Sequence, residues 1–126
     1  MEACAECVEM RTALAEEFRG LQGLFAALGD ETRQRIFLAL LESEQMGLRA
    51  GELAERTHLS RPAVSHHLRV LREAGAVSLH REGTRNYYYP NADTEQWERL
   101  RLLADKICAV VRYAADMGYP HMEEDL

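Results

Sequence analysis

The chain has 126 residues, 47% hydrophobic and 29% charged, which is enough for one globular domain and too apolar for a disordered chain. Its formal net charge of −6 disfavours nucleic-acid binding by the chain as a whole. It has no apolar run long enough to span a membrane, and its start, Met1-Glu-Ala-Cys-Ala-Glu, lacks the features of a signal peptide. We therefore expect a mainly helical, cytoplasmic protein with a small β-hairpin and no membrane span.

The first predicted element is a helical arm. Cys4, Cys7, Leu14 and Phe18 fall on one face of this helix, and glutamates occupy the opposite face. The arm has too little apolar surface to be stable alone. We expect it to pack on the last helix or on a partner subunit.

Two further helices are predicted before residue 43. The first covers residues 21–28 and ends at Gly29, and Asp30 is an N-cap residue for the second. The apolar positions of the second helix predict which side chains face the core. They are Ile36, Leu40 and Leu41, with Phe37 beside them.

The stretch between residues 50 and 75 has the pattern of a helix-turn-helix. A short helix is followed by a tight connection and by a second helix over residues 61–74. Ser60 is suited to cap the second helix, and Gly75 is the residue type that commonly follows a helix end.

The second helix of this pair has one apolar face and one polar face. Val64, Leu68 and Leu71 recur at i, i+4 and i+7 and are predicted to pack inward. The opposite face combines long cations with short hydrogen-bonding groups, which suits the major groove of DNA. A solvated charged face is the alternative interpretation. The residues of this polar face are Arg61, Ser65, His66, Arg69 and Arg72.

A β-hairpin is predicted after the helix-turn-helix, because apolar and polar residues alternate on both sides of Arg81-Glu-Gly-Thr-Arg85. Gly83 gives the tip its conformational freedom. A helix-turn-helix followed by a basic hairpin is a winged helix, and Arg81 and Arg85 are placed to reach phosphates or a minor groove. Arginines outnumber carboxylates across residues 61–85, so a local positive patch is expected on an acidic body.

The last predicted helix, residues 94–117, carries two apolar rows. One row has heptad spacing, and the second row widens the stripe. One row is enough to cover this subunit's own core, so the other indicates self-association. A dimer would place two reading helices about 34 Å apart, matching successive major grooves of a palindrome. The heptad row is Trp97, Leu100, Ala104, Ile107, Val111 and Ala114, and the second row is Leu103, Val110 and Met117.

Four blocks of sequence carry a family resemblance. They are Leu28-Gly-Asp-Glu-Thr-Arg-Gln-Arg-Ile36, Gly51-Glu-Leu-Ala54, Ser60-Arg-Pro-Ala-Val-Ser-His-His-Leu-Arg-Val-Leu-Arg-Glu-Ala-Gly75 and Arg81-Glu-Gly-Thr-Arg-Asn-Tyr-Tyr-Tyr89. In order and spacing the chain resembles the ArsR/SmtB family of winged-helix repressors. The resemblance implies a homodimeric repressor that binds double-stranded DNA at a palindromic operator and is released by an inducer. The residues predicted to contact DNA are Ser60, Arg61, Ser65, His66, Arg69, Arg81 and Arg85.

The predicted organisation has four parts. Residues 1–20 form the helical arm, which serves as a dimer contact, and residues 21–92 form the winged helix-turn-helix DNA-binding domain. Residues 93–118 form the C-terminal dimerisation helix, and residues 119–126 form an acidic tail.

The inducer site is the least determined part of the sequence. The resemblance implies two common site types, but the helix before the reading helix has no cysteine and the last helix has no histidine. Cys4, Cys7 and Cys108 remain as candidate ligands for a thiophilic metal or metalloid such as As(III), Cd(II) or Pb(II). The same thiols could instead be oxidised to a disulfide or persulfide, or be structural residues.

Two functions of other classes stay open at this point. Cys4-Ala-Glu-Cys7 has the spacing of a small thiol oxidoreductase, although no βαβ pattern surrounds it, and we expect a protein that is not an enzyme. A winged helix that binds another protein instead of DNA is the second alternative, and the arginine-rich face argues against it.

Overall fold

The computed structural model describes residues 5–90 and 95–118. The described residues belong to two compact units, Leu21–Trp97 and a second unit of the residues up to 20 and from 98 onward. We call these the central unit and the terminal unit. In chain order the elements are α1 (Ala5–Gly20), α2 (Gln22–Leu28), α3 (Glu31–Glu42), α4 (Ala50–Thr57), α5 (Arg61–Glu73), β1 (Ser78–Glu82), β2 (Arg85–Tyr89) and α6 (Glu95–Asp116). The predicted fold class, mainly helical with a two-stranded hairpin, is confirmed.

The core of the central unit lies where α3, α4 and α5 pack on one another. Val64, Leu68 and Leu71 are fully buried, as their helical spacing predicts. Ile36 from α3 and Leu53 from α4 are buried as well. Each such side chain contributes about 1.5–3 kcal/mol by leaving water, so this core fixes the orientation of α5.

One expected core position of α3 is wrong. Leu41 was expected to be buried with Ile36 and Leu40, but 56% of its surface is exposed. Ile36 and Leu40 are four residues apart and share the inward face, whereas Leu41 is a further 100° around the helix. It lies on the outer side of α3, where Leu38 is also exposed.

The helix ends of the central unit are held by side chains. The Ser60 hydroxyl accepts a hydrogen bond from the Ala63 backbone N–H at 3.2 Å, and an Asp30 carboxylate oxygen accepts from the Arg33 N–H at 2.9 Å. Both predicted N-caps are therefore confirmed. Gly75 follows α5 with a φ of +81°, a conformation that glycine adopts without strain.

Two arginines of α3 connect neighbouring helices. The Arg33 guanidinium donates to the Ala27 carbonyl at 2.8 Å, which caps the end of α2. Arg35 donates to the Thr57 carbonyl at the end of α4. The first contact ties α2 to α3, and the second ties α4, the first helix of the helix-turn-helix, to α3.

The hairpin is antiparallel, with Ser78 opposite Tyr89 and Glu82 opposite Arg85. This register leaves a two-residue turn, in which Gly83 has a φ of +61°. Leu48 pairs with Tyr88 through two backbone hydrogen bonds of 3.0 and 2.8 Å. The loop before α4 is thus tied to the outgoing strand of the hairpin.

The terminal unit buries little of its apolar surface. No residue of α1 is buried, and Phe18 is 45% exposed. Leu103 of α6 is buried, while Ile107 and Val111 of α6, and Met117 directly after its end, are exposed. Lys106 and Glu17 form an ion pair of 2.6 Å between the two helices. None of the described helices has the length and hydropathy that a membrane crossing requires.

Candidate nucleic-acid interface

The polar face of α5 is open to solvent along its length. The buried row Val64, Leu68 and Leu71 anchors the opposite side of the helix, so this face cannot turn inward. The whole predicted set on this helix is exposed, including its N-cap. The set is Ser60, Arg61, Ser65, His66 and Arg69.

A cleft of about 400 Å³ lies between the start of α4, the start of α5 and the hairpin. It brings together Arg61 and Ser65 from α5 with Arg85 from β2, three residues that the sequence predicted as DNA contacts. The remaining lining is mostly polar. It comprises Arg49, Ala50, Gly51, Glu52, Glu55, Thr84, Asn86 and Tyr88.

The two predicted arginines in this cleft are available for a ligand. Within residues 5–90 and 95–118, the guanidinium groups of Arg61 and Arg85 have no hydrogen-bond or ion-pair partner. Both can therefore offer all their N–H donors to phosphate or base-edge acceptors.

The other predicted contacts lie outside the cleft. His66 and Arg69 are exposed on α5, but they do not line the cleft. Arg81 is exposed on β1, and its Nε donates to the Gly83 carbonyl at 3.2 Å. This hydrogen bond turns the Arg81 guanidinium toward the hairpin tip, whereas Arg85 faces the cleft.

Sequence reasoning missed the contribution of α4. Arg49 is the residue before this helix, and its backbone N–H donates to Glu52 Oε1 at 3.1 Å. Arg49 stands alone among uncharged neighbours, so no local pattern marks it. Its position two residues before the Gly51-Glu-Leu-Ala54 block, at the start of a helix, was the available signal, because the start of a helix favours anionic groups such as phosphate.

The cleft also contains the carboxylates of Glu52 and Glu55 beside its arginines. A ligand must therefore approach a mixed surface, not a uniformly positive one. Such a surface discriminates between partners more strongly than a patch of one sign, because like charges that meet are costly.

The predicted thiol site is placed in part. Cys7 is half-buried in α1 and Cys108 is exposed in α6, and both belong to the terminal unit. Cys4 lies outside the described residues. Across the described stretches, no group of three or more histidine, cysteine, aspartate or glutamate residues is close enough to hold a metal ion.

An exposed arginine-bearing helix, held by a helix-turn-helix and adjoining a hairpin, defines a winged-helix DNA-binding regulator. Residues 30–78 match the family described as bacterial regulatory proteins of the arsR family. The transcriptional repressor SdpR of Bacillus subtilis is 40% identical over 76 residues, which are 60% of this chain and 81% of SdpR. The chain belongs to the arsR family.

Further relatives agree with this assignment. The transcriptional activator HlyU of Vibrio cholerae is 35% identical over 85 residues, which are 68% of this chain and 75% of HlyU. An ArsR-like transcriptional regulator from Rhodococcus sp. RHA1 has a similar structure, with a TM-score of 0.59 and 25% identity over 82% of this chain and 97% of the other. The protein is therefore a DNA-binding regulator of transcription and not an enzyme.

Proposed function

We propose that the protein is a dimeric repressor that binds a palindromic operator in double-stranded DNA. The observation that carries this proposal is the exposed polar face of α5, which continues into the cleft shared with Arg85. Repression is proposed because SdpR, which is named a repressor, shares 40% identity with this chain.

The residues of α5 and the hairpin have different roles in this proposal. Arg61, Ser65, His66 and Arg69 enter the major groove, where an arginine recognises guanine through two hydrogen bonds. Ser60 caps α5 and contacts a phosphate of the DNA backbone. Arg81 and Arg85 hold the hairpin on the backbone or in the minor groove, which positions the protein without reading sequence. Among the residues that the structure describes, the guanidinium groups of Arg61 and Arg85 have no hydrogen-bond or ion-pair partner, which supports these roles.

The terminal unit supplies the dimer contact in this proposal. Residues 1–20 and 93–118 join two copies of the chain, and residues 21–92 bind the DNA. Support comes from Ile107 and Val111, which lie on the heptad row of α6 and are exposed. A second copy of the same row would remove them from water, and a two-fold pair of reading helices suits a palindrome.

The inducer proposed is a thiophilic metal or metalloid, such as As(III), Cd(II) or Pb(II), bound by Cys4, Cys7 and Cys108. Oxidation of the same thiols to a disulfide or persulfide is the alternative. Cys7 and Cys108 belong to one compact unit, and Cys108 is exposed. Thiolate sulfur is a soft ligand that suits ions of this kind.

Titration of fluorescent duplexes with the full chain tests the DNA assignment. Arg69→Ala is expected to weaken binding to a selected operator by at least several-fold. Arg101→Ala is the matched control, because Arg101 is exposed on α6 and paired with Glu98 and Asp105. Equal affinities for wild type and Arg69→Ala, or equal losses in the two variants, would remove α5 from the contact surface.

The same operator tests the inducer. Release of the wild-type protein by As(III), Cd(II), Zn(II) or a mild oxidant is compared with release of a variant in which Cys4, Cys7 and Cys108 are serine. The proposal requires at least one of these agents to release the wild type and to leave the triple variant bound. Release of both proteins, or of neither, would exclude a thiol inducer among the agents tested.

A further inference from the structure

The backbone conformation at Gly51 does not require glycine. It is the second residue of α4, and its φ is not positive. Glycine inside a helix destabilises it by about 0.5–1 kcal/mol relative to alanine. The space that a side chain would need at this position is taken by another residue. A Cβ built on Gly51 would lie 2.5 Å from Arg61 Nη2, 3.1 Å from Cζ and 3.2 Å from Nε.

The Arg61 guanidinium therefore lies against the bare first turn of α4. Nη2, Cζ and Nε all lie close to the Cβ position of Gly51, so the side of the guanidinium, and not only its end, contacts the helix surface. Gly51 and Arg61 line the cleft that Arg85 closes from the hairpin side.

Other glycines of the chain show different environments. Gly47 and Gly75 have positive φ values of +88° and +81°, so their backbones require glycine. Gly23, inside α2, has open space where its Cβ would be. Gly51 differs from all three, because what occupies its Cβ position is the flexible end of a predicted DNA-contacting side chain.

We propose that Gly51 is a positioning residue for Arg61, and this proposal rests on the DNA-binding function proposed above. Because Gly51 has no side chain, the surface of α4 has a space that the Arg61 guanidinium occupies. This space holds the guanidinium in the cleft before DNA binds. Within the described ranges Arg61 has no polar partner to hold it, so the shape of α4 does so instead. Pre-positioning a long side chain reduces the ordering cost that binding would otherwise incur.

The test is a double-mutant cycle on duplex affinity and melting temperature. Gly51→Ala is expected to weaken operator binding about three- to tenfold. The new Cβ displaces the Arg61 guanidinium from α4, so the side chain must be ordered again on binding. The melting temperature is expected to stay or rise, because alanine is the better helix former and the atoms that must move belong to a flexible side chain. Loss of affinity without loss of stability separates positioning from a structural role.

In an Arg61→Ala background the same Gly51→Ala change is expected to have no further effect, because the group that it displaces is gone. Gly23→Ala is the matched control and should leave affinity unchanged. Gly51→Ser also introduces a Cβ and repeats the measurement with a second side chain, should the alanine variant prove unstable.

Additive losses, or an unchanged affinity of Gly51→Ala and Gly51→Ser, would overturn the proposal. These results are distinguishable from a failure of the proposed function. If Arg61→Ala and Arg69→Ala both bind like wild type, the DNA interface itself is wrong. If those two variants bind weakly while Gly51→Ala binds like wild type, the interface stands and the positioning role is excluded.

Discussion

The central unit and the terminal unit differ in how they treat their apolar side chains. Among the described residues, every fully buried apolar side chain except Leu103 belongs to the central unit. The terminal unit leaves Phe18, Ile107 and Val111 substantially exposed. The contrast teaches that a helix-turn-helix and wing can be held by one chain's own core, whereas the terminal helices carry an apolar surface suited to a second copy.

The largest effect is expected in the core of the central unit. Leu68 is fully buried, so Leu68→Ala should lower the free energy of unfolding by about 2–5 kcal/mol through lost burial and a cavity. Urea unfolding followed by circular dichroism measures this change. A loss below about 1 kcal/mol would mean that the core collapses around the cavity and that the central unit is not tightly packed.

A charge on the exposed row of α6 tests the other side of the comparison. Ile107→Glu should shift the protein toward the monomer in sedimentation equilibrium, because burying an unpaired carboxylate in an interface is costly. Binding to a palindromic operator should weaken at least tenfold with it. Ala109 is exposed on the opposite side of α6, and Ala109→Glu should keep the wild-type oligomeric state. Identical sedimentation of all three proteins would show that the exposed row of α6 does not form the contact between two copies of the chain.

The two units should also differ in their response to the loss of one arginine. Arg85→Ala should weaken specific and non-specific DNA binding alike and reduce the slope of log affinity against log salt by about one, because one phosphate contact is lost. Arg112 is exposed in the terminal unit, and Arg112→Ala should leave the slope unchanged. Anisotropy titrations at several salt concentrations measure both slopes. Matching slopes for wild type and Arg85→Ala would exclude the hairpin from the contacts.

The smallest expected effect is on the folding stability of the protein at low pH. The hydrogen bond from the Arg33 backbone N–H lowers the pKa of Asp30 below its ordinary value. The folded state then binds a proton on Asp30 less readily than the unfolded state does. Asp30 therefore contributes stability above its unfolded pKa, and this contribution is lost as the pH falls through the folded pKa.

Asp30→Asn keeps a capping side chain but cannot titrate. Its unfolding free energy should fall less steeply than that of the wild type between about pH 5 and pH 2. Denaturant titrations across this range measure the slope. Parallel curves for the two proteins would show that Asp30 does not contribute to the pH dependence.

Local chemistry explains why much of the central unit was predictable. Ser60 and Asp30 are caps that depend on neighbours three residues away, and the burial of Leu68 follows from helical periodicity. The exposure of the Leu41 side chain was not predictable in this way, because it depends on how α3 packs against α4 and α5. When an apolar residue follows a buried one, the sequence alone does not show whether its side chain faces the core or solvent.

The candidate site was predictable where one element carries it and not where elements converge. The polar face of α5 is a property of one helix, so Arg61 and Arg69 could be read from spacing. Arg49 and Gly51 join the site because α4 is packed beside α5 and the hairpin, which no local pattern encodes. The hydrogen bond that turns Arg81 toward the hairpin tip depends on the turn geometry, which is also a tertiary detail.

Selection of bound duplexes from a random-sequence pool tests the central claim most directly, because it needs no knowledge of the operator. Two reading helices related by a two-fold axis should enrich an inverted repeat whose half-sites are centred about 10 base pairs apart or a multiple of this distance. Enrichment of a single half-site, or no enrichment at low salt, would contradict the account.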